Sequence, residues 1–268
     1  MRVGLLGAGA IGEFVLDATM KGQAGAARIV AVASRGSTAS RAVAARYGVP
    51  FVDPQDLPNH DVRVIVEAAG HAGLIQHGLA YLKRGIDLVV LSAGALSDDD
   101  LLASLIAACR ESSARMYVPS GGIAGMDGLK ALMVAGAEVS MTTRKPPRAW
   151  KNIAYVEELG VDLDSVREPV VLYDGEARRG VTYFPQNVNI AAVLSLAGAG
   201  FDKTRLRVVA DPTIDKNIHE IRASGPTGTM TIAMENVPIP SNPKTSWQAA
   251  LSSVAILKHL AEPMWVGG

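Results

Sequence analysis

A chain of 268 residues, 49% hydrophobic and 19% charged, can bury one large core or two modest ones. Its 26 basic and 26 acidic residues cancel, which argues against nucleic acid or an anionic membrane surface as main partner, because either asks for a basic face. The single cysteine, Cys109, excludes an intrachain disulfide and suits a reducing cytoplasm, and no apolar run reaches the ~20 residues that cross a bilayer.

The chain opens MRVGLLGAGAIGEF: a short apolar strand over 3–6, three glycines, and the start of a helix. The strand is too short for a signal-peptide core. Gly7, Gly9 and Gly12 form G-x-G-x-x-G between strand and helix, with Ala10 and Ile11 between the second and third glycines as further cofactor-binding candidates. Gly7 lets the chain turn off the strand, Gly9 lets backbone approach a pyrophosphate, and Gly12 lets the helix pack closely. The N–H groups at the helix start would face the anion. The pattern therefore reads as a dinucleotide site.

Alternation continues. A helix over 12–21 precedes a strand over 28–34, and Ser37 or Thr38 can cap a helix running to Tyr47. Strands follow over 62–69, 87–92 and 114–119, separated by helices over 74–83 and from Ser97, the expected cap, through Leu101, Leu102, Leu105, Ile106 and Cys109. That spacing makes Cys109 a core position. Near-continuous apolar strands separated by helices predict a parallel sheet covered on both faces, a Rossmann domain.

NAD enzymes usually carry an acid at the end of the second strand to hold the ribose. Here Ser34-Arg35-Gly36-Ser37-Thr38 stands there. Arg35 can pair with a 2′-phosphate and Ser34 can donate to it, so NADP is accepted; alternatively Arg35 stacks on adenine and NAD binds through backbone.

After Ser120 the pattern changes. A glycine-rich turn and helix over 121–137 lead to strands over 139–143, 170–174, 180–184, 206–210, 217–224 and 228–235, with a buried helix over 187–199. This predicts a smaller α+β domain with a mixed or antiparallel sheet. Residues 238–244 read as a return linker. The tail helix, with Trp247, Ala250, Leu251, Val254 and Leu257 as its apolar stripe, is expected to pack on the first domain. The expected organisation is a Rossmann domain over 1–122 joined by the helix of 245–268, and an α+β domain over 123–244, with a ligand cleft as the default expectation.

No histidine pair has zinc-protease spacing and no Cys/His cluster exists, so no metal is expected. His60, His77 and His259 read as surface residues. His71 follows the third strand at the ligand-binding edge of the sheet and could be either surface or site. His219 stands in the polar run ADPTIDKNIHEIRASG. Alternation puts Asn217, His219 and Ile221 on one face and Ile218, Glu220 and Arg222 on the other. Such a histidine can exchange protons near neutral pH or be structural.

Five motifs in order carry a resemblance: the glycine turn 7–12, PSGGIAG at 119–125, TTRKPP at 142–147, FPQNVN at 184–189 and DKNIHE at 215–220. Along essentially its whole length the chain resembles the L-aspartate dehydrogenase family. The resemblance implies NAD- or NADP-dependent oxidation of L-aspartate to iminoaspartate, which then gives oxaloacetate and ammonia or enters NAD biosynthesis through quinolinate. It implies a homodimer, with His219 as the active-site histidine and Ala124 and Asn189 as cofactor contacts; the cytoplasm expected from the lone cysteine is unchanged. Two substrate carboxylates ask for cations or several donors, for which Lys145 and Asn217 are the candidates, followed by Lys216 and Arg144. A homoserine dehydrogenase-like or dihydrodipicolinate reductase-like enzyme, or a dinucleotide sensor without turnover, are the alternatives.

Overall fold

The computed structural model describes residues 1–185, 188–239, 242–264 and 266. Gln186 and Asn187, within the FPQNVN motif and the start of the helix expected over 187–199, lie outside the described residues. So do Pro240 and Ser241 of the expected linker and Trp265, Gly267 and Gly268 of the tail. The chain forms two compact units: Met1–Pro119 with Ala250–Val266, and Ser120–Ala249.

In the first unit, β1 (Arg2–Leu6), α1 (Ala10–Met20), β2 (Arg28–Ala33), α2 (Thr38–Arg46) and β3 (Phe51–Val52) are followed by β4 (Val64–Glu67), α3 (His71–Lys83), β5 (Asp87–Val90), α4 (Asp99–Ser112) and β6 (Met116–Tyr117). The strands form one parallel sheet in the order β3-β2-β1-β4-β5-β6. β4 and β5 are buried throughout, as strands covered on both faces must be. The strand order reverses direction at β1 and β4, where open α/β sheets bind ligands beyond the carboxyl ends of the strands.

The first unit departs from two expectations and adds a strand. The cap of α4 is Asp98, whose carboxylate accepts from Leu101 N–H at 3.0 Å, while the Ser97 hydroxyl donates to the Gly94 carbonyl and ends a 3-10 turn. Cys109 is half-buried rather than core, since the buried edge of α4 is formed by Leu105 and Ala108. β3 has only two residues and no alternation to reveal it. At α2 the cap is Ser37, which accepts from Ser40 N–H.

The second unit contains α5 (Met126–Val134), β7 (Glu138–Lys145), α6 (Ala154–Glu158), β8 (Val170–Glu176), α7 (Ala177–Tyr183), α8 (Asn189–Ala197), β9 (Arg205–Ala210), β10 (Asn217–Gly225), β11 (Gly228–Asn236), β12 (Pro238–Ile239) and β13 (Asn242–Ser246). Five strands form a mixed sheet in the order β11-β10-β7-β9-β8; only the β7–β9 pairing is parallel. α8 is buried from Ile190 to Ser195.

Residues 180–184, expected as a strand, lie mainly in α7. Gly180 lets that helix press on β9, where an added Cβ would overlap the Leu206 side chain. The β-branched and aromatic composition is overridden by this packing. The expected linker over 238–244 contains β12, paired with β13 in a short antiparallel ladder. The last helix, α9 (Trp247–Ala261), buries Ala250, Val254 and Leu257, whereas Trp247 and Leu251 of the expected stripe are exposed.

Candidate active site

The turn between β1 and α1 is fixed by two close approaches. Gly7 has φ +98°, and a Cβ there would lie 2.5 Å from the Ala68 carbonyl oxygen on the neighbouring strand's exit. A Cβ on Gly12 would overlap the Gly7 carbonyl. Gly9, by contrast, faces open space: no atom of the described residues lies within 4 Å of where its Cβ would be. The first turn of α1 leaves the N–H groups of Ala10, Ile11 and Gly12 without carbonyl partners in their own helix, since the first such bond runs from Glu13 N–H to the Gly9 carbonyl.

Above this turn is a cavity of about 530 Å³ lined by Gly7, Gly9, Ser34 and Arg35 and closed on another side by Ala68 and His77. The Ser34 hydroxyl is buried with no hydrogen-bond partner among the described residues. Arg35 is exposed, and among the described residues no carboxylate lines the cavity. Open space over Gly9, backbone donors in the first turn of α1 and an orphaned hydroxyl at the end of β2 together fit a dinucleotide. His77 was expected on the surface; it is half-buried, stacked on Tyr81 and part of the cavity wall. His71 is the first residue of α3 and half-buried.

In the second unit the alternation of β7 and β10 decides which side chains meet. Val139, Met141, Thr143 and Lys145 share the buried face of β7, and Asn217, His219, Ile221 and Ala223 share that of β10. The face is apolar at one end and polar at the other. His219 pairs directly with Thr143, and its Nδ1 lies 2.9 Å from Thr143 Oγ1. Asn217 pairs with Asn236 on β11, whose amide donates to the Gly122 carbonyl at 2.6 Å. Gly122 is held so close that a Cβ there would stand 3.6 Å from His219 Cδ2 and 3.3 Å from Asn236 Nδ2.

His219 is almost fully buried. Burial first, then the charge of Lys145, hold its imidazole well below the usual histidine range, so the ring is neutral at pH 7. Lys145 is itself buried, with its ammonium 5.2 Å from the centre of the Trp150 ring. The indole of Trp150 is fixed in turn by donating to the Val209 carbonyl at 3.1 Å. Asn217 is buried too, and its Oδ1 has no hydrogen-bond partner among the described residues.

The structure thus brings His219, Lys145 and Asn217 together on one sheet face. It removes the two weaker anion candidates from that set. Lys216 is exposed and paired with Glu235 at 2.9 Å. Arg144 lies on the other face of β7, bound to Asp211, whose second oxygen accepts from Thr213 N–H and Oγ1. Ala124 is half-buried in the turn before α5, and Asn189 is the first residue of α8; the two segments meet where Gly121 lies against Ile190. Thr143, Asn236 and Gly122 belong to the same cluster and were not singled out from the sequence. The parity of Thr143 with Lys145 in TTRK was the available signal for the first. Among the described residues no group of three His, Cys, Asp or Glu could hold a metal ion, and no helix is long and apolar enough to cross a membrane.

Residues 127–260 match the family model described as aspartate dehydrogenase, C-terminal, and residues 7–119 match that described as homoserine dehydrogenase, NAD binding domain. The L-aspartate dehydrogenase of Methanocella arvoryzae is 38% identical over 268 residues, 99% of each chain. L-aspartate dehydrogenase 2 of Bordetella bronchiseptica is 46% identical over 202 residues, 74% of each chain. The crystal structure of aspartate dehydrogenase from Thermotoga maritima superposes with a TM-score of 0.78 at 25% identity, covering 100% of this chain and 99% of that one. The homoserine dehydrogenase likeness is confined to the dinucleotide-binding part, whereas the polar sheet face lies in the aspartate dehydrogenase match. The chain belongs to the L-aspartate dehydrogenase family and is an NAD- or NADP-dependent oxidoreductase acting on L-aspartate.

Proposed function

We propose that His219 is the base of this reaction and that Lys145 and Asn217 hold the substrate. The observation that carries the reading is a buried, neutral imidazole beside a buried ammonium and an unpartnered amide oxygen. Lys145 is the cation for a substrate carboxylate, strengthened by low local polarity. Asn217 Oδ1 can only accept, so it is matched to an N–H of the substrate amine. His219 accepts the proton of the water that adds to the imine carbon once L-aspartate has been oxidised to iminoaspartate.

Gly7, Gly9, Ala10, Ile11, Gly12 and Ser34 are the dinucleotide contacts of the first unit, and Ala124 and Asn189 those of the second. Arg35 lines the same cavity just after β2, and among the described residues no carboxylate lines it, which supports use of NADP as well as NAD. The bound dinucleotide would supply the hydride acceptor at its nicotinamide ring. We further infer a cytoplasmic homodimer whose iminoaspartate either hydrolyses to oxaloacetate and ammonia or feeds NAD biosynthesis.

The test is absorbance at the reduced-nicotinamide band, with NAD and NADP in turn, against L-aspartate, D-aspartate, L-glutamate and L-homoserine. Signal is expected with L-aspartate, and silence with both cofactors would sink the reading. His219→Ala should lower turnover about 100-fold while dinucleotide binding, followed by fluorescence, persists. Unchanged turnover would remove His219 from the chemistry.

A further inference from the structure

We propose that Thr143 is the positioning residue of His219, holding the proton on Nδ1 so that the lone pair of Nε2 is the one available for chemistry. The inference rests on the reading of His219 as the base. The geometry behind it is specific. Thr143 and His219 are directly opposed on β7 and β10, both side chains lie on the buried face, and Nδ1 and Oγ1 are at hydrogen-bond distance, 2.9 Å. Among the described residues this is the hydrogen bond that His219 makes. A neutral imidazole has one proton, and the partner of one nitrogen decides where it resides. A base needs its open nitrogen bare, so the proton belongs on the nitrogen that faces Thr143.

The choice of a hydroxyl as partner is also chemically specific. A carboxylate at this place would fix the same tautomer but raise the basicity of the ring by its charge. Thr143 carries no charge. The groups facing the imidazole are Asn217 on β10, Lys145 on β7, Met234 opposite on β11, and the Gly122 backbone. Lys145 is the charged member of that set, and it opposes ring protonation. The result is a histidine oriented by a neutral partner and kept in its base form at neutral pH.

The experiment uses the full-length enzyme labelled with ¹⁵N in its histidines. The ¹⁵N shifts of the His219 ring, identified by their loss in His219→Asn, should show Nδ1 protonated and Nε2 bare in the unmodified chain. In Thr143→Val, which keeps the side-chain shape, the Nδ1–H preference should disappear. kcat should fall about 10-fold, the scale of one hydrogen bond, with KM for L-aspartate and dinucleotide affinity unchanged. Thr143→Ser should restore both shifts and kcat. A proton on Nε2 in the unmodified chain would overturn the inference, and so would full kcat in Thr143→Val. The ¹⁵N reading of the unmodified chain decides the matter even if the valine variant does not fold. If His219→Asn retains turnover, the base reading fails; if it abolishes turnover while Thr143→Val changes nothing, only the positioning role fails.

Discussion

Glu67 and His219 are both deeply buried, and burial acts on them in opposite directions. At the end of β4 the Glu67 carboxyl accepts from Ala69 N–H at 2.8 Å, Ser92 Oγ at 3.0 Å and Ser92 N–H at 3.2 Å, so it ties together the exits of β4 and β5. Burial nevertheless pushes its pKa up to about 7, against the pull of these donors. Between about 4.5 and about 7 the unfolded chain has released this proton and the native chain still holds it, so stability falls as pH rises through that window and levels off above it. A shift of this size corresponds to about 3 kcal/mol. Glu67→Gln should lose that dependence, so the stability of the unmodified chain relative to the variant falls between pH 5 and pH 8. Urea unfolding at the two pH values measures it, and a constant difference would refute the assignment. His219 was legible as a polar residue of the correct face by simple alternation. Thr143 was not, because its partner is 76 residues away and is chosen by the register of two strands that no local pattern encodes.

At the level of elements, the sequence is most legible where one periodicity dominates. The parallel strands read as apolar runs, and β10 alternates cleanly, with Asn217, His219, Ile221 and Ala223 buried. The sequence is ambiguous where two local signals compete. Ser97 and Asp98 are both good caps, and the choice between them is settled by the 3-10 turn over Ala93–Ser97, which engages the serine hydroxyl and leaves the aspartate to start α4. Asp98 also adds negative charge at the positive end of the helix. Asp98→Ala should therefore cost about 1 kcal/mol, while Ser97→Ala should cost less, because the cap bond survives it. Equal losses in thermal or urea unfolding would show that the serine shares the capping role. α7 is the harder case. Gly-Val-Thr-Tyr-Phe at 180–184 has strand composition, yet Gly180 lies in a helix packed so closely on Leu206 and Tyr173 that an added Cβ would overlap them.

At the level of the whole molecule, the chain leaves its first unit at Pro119 and returns to it at Ala250. The returning helix is part of the core: Val254 and Leu257 on α9 are buried in one cluster with Val3, Leu5, Val15 and Leu16 of β1 and α1. The strand and helix that flank the glycine turn and the last helix, α9, are therefore stabilised by the same apolar contacts. The sequence made a packed helix foreseeable, because an amphipathic helix must bury its apolar stripe somewhere. It could not indicate that Trp247 and Leu251 stay exposed, since that depends on where the stripe meets β1 and α1. Leu257→Ala leaves a cavity in this cluster and should cost about 2–5 kcal/mol. Truncation after Ser246 removes both anchors and leaves apolar side chains of β1 and α1 uncovered. Dinucleotide binding should then weaken, although every residue lining the cavity is retained, because the glycine turn is held by the elements that α9 covers. Saturating NADP should recover part of the Leu257→Ala loss, by RT ln(1 + [L]/Kd), as expected when a ligand binds only the folded unit. Fluorescence titration with NADP and urea unfolding with and without it measure both effects. A truncated chain with unchanged affinity and an unchanged unfolding midpoint would show that the first unit closes its core without α9.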